Sequence, residues 1–335
     1  PIIVAADSSL KALKSAGMDP DFVVSIDPQK TFNSCSDPDY TPGIAILSSQ
    51  SHDSWRKRWG ENCAYLSGRV ITEDWLAEKG VSKTNHLAIN NAGLIALAFA
   101  DFLNTSAIIT IGLDLAGGGD GQDRYAENTN RSHIQVHASH YHRIPGNYDE
   151  TVPTPFLSDW QETSDYCKKI SGNKTVINLN DRGAKLEGAT LVHPKQIKEL
   201  KEVLNEIISP FIPFDNSLFK LRKSLSGFGL NQLLVQLTTL CDKAWSDLPT
   251  EKISENNSML NSLRSILANR DIASLLGDFA FSIMPILSPE KKPSSQEIKK
   301  AFSELRELLW RLEDSIVECN PEEDFLRRFF TEKFN

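Results

Sequence analysis

The first 190 residues alternate between short runs of apolar residues and segments of helical periodicity, and this pattern restricts the fold more than any other feature. Five runs predict strands: residues 2–6, 21–26, 43–47, 107–111 and 174–179. Strands this apolar need cover on both faces, so the alternation predicts an α/β domain with a mostly parallel sheet. In such sheets ligands bind beyond the carboxyl ends of the strands, so the loops that follow the strands are where we expect a site.

Helical patterns fill the spaces between these strands and dominate the rest of the chain. Residues 72–79, 91–103 and 155–170 predict helices, and the segment 91–103 is apolar nearly all round, so it should lie against the sheet. Beyond about His193 no strand pattern remains, and further helices are predicted at residues 195–208, 218–240, 258–267, 272–286 and 295–317. We therefore expect a Rossmann-like domain over residues 1–195 and an all-α domain, a helical bundle, over residues 205–335.

Composition excludes several classes of protein. The net charge of -8 disfavours a general nucleic-acid binder. No apolar run approaches the ~18 residues that a membrane-spanning helix needs. The five cysteines form no Cys-x-x-Cys pair, so we expect reduced thiols in a cytoplasmic protein. Because the first residue is Pro1 rather than Met, we also expect that the chain starts inside a longer one.

Three strand-end loops hold polar residues that could bind a ligand. Asp7, Ser8 and Ser9 follow the first strand, where they could bind an anion or a ribose, or simply cap the next helix. Asp27 and Gln29 follow the second strand, where a carboxylate could accept ribose hydroxyls or coordinate a cation, or belong to an ordinary turn.

The third loop follows the strand 107–111 and is rich in glycine. Gly112 lets the backbone turn or approach a ligand closely, and Asp114 lies two residues further on. The glycines at 117–119 and 121 are typical of a loop that closes over a substrate. No Gly-Lys-Ser/Thr follows, so the loop is not a phosphate-binding P-loop, and the dinucleotide fingerprint is incomplete. No Gly-x-Ser-x-Gly motif is present, so the sequence gives no support to a serine hydrolase.

Four histidines cluster beyond this loop, at positions 133, 137, 140 and 142. The first two would share a helix face and the last two a strand face, so either pair could bind zinc. No nearby Cys or Glu completes a ligand set, so we predict no metal site. A histidine that acts as general acid or base is the better hypothesis, with ordinary surface histidines as the alternative.

Several blocks of the sequence resemble one known family. Residues 1–29, which read PIIVAADSSLKALKSAGMDPDFVVSIDPQ, closely resemble the motility-accessory factor (Maf) glycosyltransferases. Asn90–Gly93 with its apolar helix, the ITIGLDL of residues 109–115, Thr154 with the helix after it, and the VINLNDRGAKLEG of residues 176–188 agree in order and spacing. The resemblance covers about residues 1–195, and the same domain family includes the MptE-like 6-hydroxymethylpterin diphosphokinases.

The resemblance implies a fold similar to that of bacterial sialyltransferases and a role in flagellar assembly and motility. The reaction that it implies moves a nonulosonic acid, of pseudaminic or legionaminic type, from a CMP-sugar to Ser or Thr of flagellin in the cytoplasm, with no required cofactor. A 6-hydroxymethylpterin diphosphokinase that uses ATP and Mg²⁺ is the alternative, and a flagellin-binding module without catalysis is a third hypothesis.

On this reading the site residues have two roles. We expect a nucleotide pocket lined by Asp7, Ser8, Ser9, Asp27, Gln29, Asn91, Gly112 and Asp114. We expect His142, with His140 as second choice, to deprotonate the acceptor hydroxyl, since histidine titrates near working pH. Tyr125 or Arg124 would donate hydrogen bonds to the departing phosphate.

The chain departs from the family pattern in two places. The family usually has an earlier strand that ends in Gly-x-Gly-Pro-Ser-Leu, and that segment would precede Pro1. Many members also carry a histidine shortly after the Asp of Gly-Gln-Asp-Leu, where this sequence reads GQDRY over residues 121–125.

Overall fold

The computed structural model describes residues 1–60, 62–66, 70–78, 91–117, 141–198, 200, 261, 264–265, 267–277, 288 and 293–319. The chain divides into two compact units. The first comprises Pro1–Gly68 with Thr84–Asn216, and the second comprises Arg69–Lys83 with Ser217–Asn335.

The first unit contains nine strands and five helices among its described residues. In chain order they are β1 (Val4–Ala6), α1 (Leu10–Ser15), β2 (Phe22–Ser25), α2 (Phe32–Cys35), β3 (Ile44–Leu47), α3 (Asp53–Trp59), β4 (Cys63–Tyr65), α5 (Ala92–Phe102), β5 (Ala107–Ile111), β6 (His142–Pro145), β7 (Thr151–Thr154), α6 (Leu157–Ser171), β8 (Thr175–Leu179) and β9 (Thr190–Val192). Helix α4 (Ile71–Glu78) belongs to the second unit.

Two parallel sheets form the framework of the first unit. One has the order β1-β2-β3-β4 and the other the order β5-β8-β9, with all ladders parallel. Strand β2 is buried along its whole length, as its sequence Phe-Val-Val-Ser predicts for a strand covered on both faces. The α/β class with parallel strands, which the sequence predicted, is confirmed.

Helix α5 lies against strands of both sheets, since it contacts β1, β2 and β5. Asn91 caps its first turn, and its other residues are nearly all apolar. At its first turn, a Cβ built on Gly93 would lie 2.6 Å from the Leu113 side chain, just beyond the end of β5. In its second half, the Phe99 ring packs 5.0 Å from the ring of Phe22, the first residue of β2. The carboxyl ends of both sheets therefore face the same end of α5.

An antiparallel hairpin, β6-β7, completes the first unit. His142 pairs with Thr154, and Ile144 pairs with Val152. Ile144 and Val152 are buried together with Leu115, from the loop after β5, and with residues that follow β8, namely Ala184 and Leu186. The hairpin therefore covers the loops at the carboxyl end of the second sheet.

Continuous apolar runs in the sequence mark five of the nine described strands of this unit and leave β4, β6, β7 and β9 unmarked. The predicted strands at 2–6, 21–26, 43–47, 107–111 and 174–179 are confirmed as β1, β2, β3, β5 and β8. Strands β4 and β9 have three residues each, and β6 is polar and ends at a proline, so no apolar run marks them. His193 caps a short 3₁₀ helix, Pro194–Gln196.

The second unit is helical in the residues that the structure describes. It contains α4, α7 (Arg270–Leu276) and α8 (Ser295–Cys319). The Thr72 hydroxyl donates to the carbonyl of Ser274 at 3.1 Å, and Arg270 donates to both oxygens of Glu78. On α8, buried Ile298, Ala301 and Leu305 share one face, as helical spacing requires.

Helix α8 confirms the prediction for residues 295–317, and α7 overlaps the helix predicted at 272–286. The helices predicted at 218–240 and, for the most part, at 258–267 lie outside the described residues, as do residue 199 and residues 201–205 at the predicted domain boundary. That boundary stays a prediction. Among the described helices, none combines the length and apolar character that crossing a membrane requires.

Candidate functional site

Asp7 joins the loops that follow β1 and β2. Its side chain is completely buried. One carboxylate oxygen accepts hydrogen bonds from the Ser8 amide at 2.7 Å and from Lys30 Nζ at 2.9 Å, and the other accepts one from the Ser25 hydroxyl at 3.0 Å. A buried carboxylate is stable only when it is paired and hydrogen-bonded, and Lys30 supplies the compensating charge. Asp7 therefore lies beneath the surface at the carboxyl ends of β1 and β2, which we call the first edge, and it links the two loops there.

The other predicted residues of this edge are nearer to solvent. Ser8 and Asp27 are half-buried, and Gln29 is exposed. The Ser9 hydroxyl donates to the carbonyl of Ala6 at 2.7 Å, and Asp27 accepts the Gln29 backbone amide at 2.8 Å in a local turn. The structure thus brings Asp7, Ser8, Ser9, Asp27 and Gln29 to one sheet edge, where Ser8, Asp27 and Gln29 are the side chains that a ligand could reach.

Asp114 joins the ends of β5 and β8. The Asn180 side-chain amide donates to Asp114 Oδ1 at 2.7 Å, and Arg182 Nε lies 3.6 Å from Asp114 Oδ2. The backbone amide of Ala184 donates to the Asp114 carbonyl at 2.7 Å. Gly183 has a φ of +80°, and a Cβ there would lie 2.8 Å from the same carbonyl, so only glycine fits this approach. Asp114 is thus fixed through both its side chain and its backbone.

Asn91 and Gly112 lie at the same end of the second sheet. The Asn91 side-chain oxygen accepts the amides of Gly93 and Leu94, so it serves as the cap of α5. Gly112 has a φ of +70°, and the backbone of Leu115 also adopts a positive φ, of 46°. A buried leucine in this conformation is strained, and such strain is common in ligand-binding loops.

The hairpin places His142 near the loop that carries Asp114. His142 pairs with Thr154, and the Thr154 hydroxyl donates to the Leu115 carbonyl at 2.6 Å. Alternate residues of a strand share a face, so His142 lies on the face of Ile144, which packs against Leu115. Unlike Ile144, His142 is exposed. His142 is therefore an exposed imidazole one strand away from the loop that carries Asp114.

Three of the predicted catalytic residues cannot be placed. His140, Tyr125 and Arg124 lie outside the described residues, as do His133 and His137. Among the residues that are described, no three of His, Cys, Asp or Glu cluster in a way that could hold a metal ion.

Sequence reasoning missed four polar residues at these edges: Lys30, Tyr148, Asn180 and Arg182. Asn180 and Arg182 directly follow the predicted strand at 174–179, so the rule that pointed to Asp114 would also have pointed to them. Lys30 and Tyr148 gave no local signal. Their partners Asp7 and Asn180 lie 23 and 32 residues away in sequence.

Comparison with known proteins agrees with the sequence resemblance over the N-terminal part. Residues 1–120 match the family model described as 6-hydroxymethylpterin diphosphokinase MptE-like. The matched residues include the loops around Asp7 and Asp114, and they lie within the part of the chain where the sequence resembles this family. A search of curated proteins found no match.

One solved structure is similar over most of the chain. It is the Maf glycosyltransferase from Magnetospirillum magneticum AMB-1, with a TM-score of 0.46 and 15% sequence identity. The alignment covers 95% of this chain and 49% of that one, so this chain spans about half the length of that protein.

Proposed function

We propose that this protein is a glycosyltransferase that moves a nonulosonic acid from a CMP-sugar to Ser or Thr of flagellin. The observation that carries the proposal is the fixed position of Asp114. The GLDL segment that resembles the Maf family forms the loop after β5, and Asn180 and Arg182 hold its aspartate at the carboxyl end of a parallel sheet. This is the end of such sheets where nucleotides bind.

In this proposal, the first edge binds the nucleotide, and the second edge, at the carboxyl ends of β5, β8 and β9, binds the sugar. Ser8, Asp27 and Gln29 offer hydrogen-bonding groups to the nucleotide at the first edge. Asp114 and its partners face the sugar at the second. His142 removes the proton from the acceptor hydroxyl as the oxygen attacks the anomeric carbon, and the bond from that carbon to the phosphate oxygen of CMP breaks.

A 6-hydroxymethylpterin diphosphokinase is the second candidate, and the family match over residues 1–120 favours it. That reaction needs carboxylate oxygens to hold the magnesium of ATP. Asp7 already accepts three hydrogen bonds, and Asp114 contacts Asn180 and Arg182. Since a cation or an amide donor occupies each of these two carboxylates, their arrangement is better suited to a nucleotide sugar than to a magnesium nucleotide.

Titration calorimetry with CMP and with ATP–Mg²⁺ separates these candidates. We expect CMP to bind, and we expect Asp27→Asn to weaken it by roughly tenfold, because one charged hydrogen-bond acceptor is lost. Asp39→Asn is the matched control: Asp39 is exposed, precedes β3 and should leave CMP affinity unchanged.

Tighter binding of ATP that depends on magnesium would instead establish the diphosphokinase. Binding of neither nucleotide would favour the third hypothesis, a module that binds flagellin without catalysis.

A further inference from the structure

Three neighbouring strand ends form a row at the carboxyl edge of the second sheet. Strands β5, β8 and β9 are followed by Asp114, Asn180 and His193. Tyr148, from the turn of the hairpin, reaches across this row. Its hydroxyl donates to the Asn180 carbonyl at 3.3 Å, and its ring forms a T-shaped pair with the His193 ring, with 5.5 Å between the ring centroids.

Tyr148 presents a fixed aromatic surface to solvent. The hydrogen bond and the T-shaped contact with His193 hold the side chain in place, yet 52% of the residue is exposed. A large aromatic side chain that is already held in place loses little conformational freedom when a ligand packs on it. Its position beside the strand ends makes it a platform for a ring-shaped ligand.

Arg182 supplies a cation beside this platform. Its backbone is held on both sides, because its amide donates to Asn180 Oδ1 at 3.3 Å and its carbonyl accepts Asn147 Nδ2 at 2.6 Å. Its side chain is 76% exposed, and Nε lies 3.6 Å from Asp114 and 3.7 Å from Asp181. The two carboxylates orient the guanidinium through Nε, and its terminal nitrogens are the pair that binds a carboxylate in bidentate geometry.

We propose that Tyr148 and Arg182 form a subsite for a sugar ring that carries a carboxylate. The apolar face of the ring packs on Tyr148, and the carboxylate of the sugar pairs with Arg182. The inference rests on the proposed function, in which the donor sugar is a nonulosonic acid, and it adds the residues that recognise that sugar.

The test compares two probes, CMP and CMP-N-acetylneuraminate, by calorimetry on the wild-type protein and three variants. We expect Arg182→Gln and Tyr148→Ala each to weaken the CMP-sugar roughly tenfold and to leave CMP unchanged. Lys185→Gln removes the same charge from an exposed position of the same loop and should change neither affinity. Tyr148→Phe keeps the ring and should bind the CMP-sugar nearly as the wild type does.

Each other outcome overturns the subsite. If Arg182→Gln weakens CMP and the CMP-sugar equally, Arg182 binds the phosphate. If the wild type binds CMP and the CMP-sugar with equal affinity, or if these variants bind the CMP-sugar as tightly as the wild type does, the subsite is wrong. The nucleotide site then still stands. If the wild type binds neither probe, the proposed function fails and the subsite fails with it. Circular dichroism of each variant confirms that the fold is kept.

Discussion

The side-chain amide of Asn180 donates a 2.7 Å hydrogen bond to the carboxylate of Asp114. This contact joins the loop after β5 to the loop after β8, and it involves an asparagine that is only 5% exposed. The side-chain oxygen of Asn180, Oδ1, accepts hydrogen bonds from the backbone amides of Asp181 and Arg182. One buried side chain therefore sets the positions of both an acidic and a basic residue at this edge.

Replacement of Asn180 should destabilise the protein and disturb this edge. Asn180→Ala removes a donor to a charged group and an acceptor for two amides, so we expect the free energy of unfolding to fall by about 1–3 kcal/mol. Asn180→Asp should be worse, because it places a second carboxylate beside Asp114. Denaturant unfolding measures both. Asn173→Ala, at an exposed position, is the control and should change stability by less than about 0.5 kcal/mol. Equal effects at positions 173 and 180 would show that the contact contributes nothing.

The buried ion pair between Asp7 and Lys30 gives a second prediction. Lys30→Met leaves the Asp7 carboxylate buried without its cation, so we expect a loss of about 3–5 kcal/mol. Lys57→Met breaks the exposed pair with Asp53 and should cost about 0–1 kcal/mol. The double variant Asp7→Asn with Lys30→Met should recover part of the loss, since no unpaired charge remains. Chemical denaturation compares the four proteins, and a Lys30 effect no larger than the Lys57 effect would refute the pairing.

The acid stability of the protein should depend on Asp101, at the end of α5. Burial acts to raise the pKa of Asp101, but hydrogen bonds from Lys174 and Tyr166 outweigh burial and hold this pKa below its usual value. Because folding lowers the pKa of this carboxyl, the ionised group stabilises the protein at pH values above its unfolded pKa of about 3.9. This stability is lost as the pH falls from that value through the lower pKa of the folded state.

We therefore expect the wild type to lose more stability than Asp101→Asn between about pH 5 and pH 3. Asp101→Asn should also be less stable by roughly 2 kcal/mol near neutral pH, where Lys174 has lost its partner. Asp165→Asn, an exposed position on α6, is the control. Thermal unfolding across this pH range measures the effect, and parallel curves for wild type and Asp101→Asn would rule out the linkage.

Much of the framework was predictable because the sheet strands are continuous apolar runs. That property located β1, β2, β3, β5 and β8, and the rule for strand ends then pointed to Asp7, Asp27 and Asp114. The sequence could not show that Asp7 is buried, because its burial depends on Lys30, which is 23 residues away. The hairpin was missed because His142–Pro145 is polar and short, and its stability comes from packing on Leu115 and Ala184 rather than from its own pattern.

His142 provides the test of mechanism. If His142 removes the acceptor proton, His142→Ala should slow transfer by at least ~100-fold and leave the affinity for the CMP-sugar nearly unchanged. Arg143→Lys is the matched control: it lies on the opposite face of the same strand, where Arg143 donates to Thr151, and it should transfer at close to the wild-type rate. Single-turnover kinetics and calorimetry separate the two effects. A near-normal rate for His142→Ala would exclude His142 as the base, and a loss of donor binding would make it a ligand contact instead.

Mass spectrometry of flagellin tests the central proposal most directly. Purified flagellin is incubated with this protein and a CMP-activated nonulosonic acid, and the intact mass and the peptide masses are then measured. We expect flagellin to gain the mass of the sugar at Ser or Thr residues and CMP to be released in equal amount. We also expect Arg182→Gln to lower the yield and Lys185→Gln to leave it unchanged. Flagellin of unchanged mass, together with formation of a pterin diphosphate when ATP, Mg²⁺ and 6-hydroxymethylpterin are supplied, would contradict it.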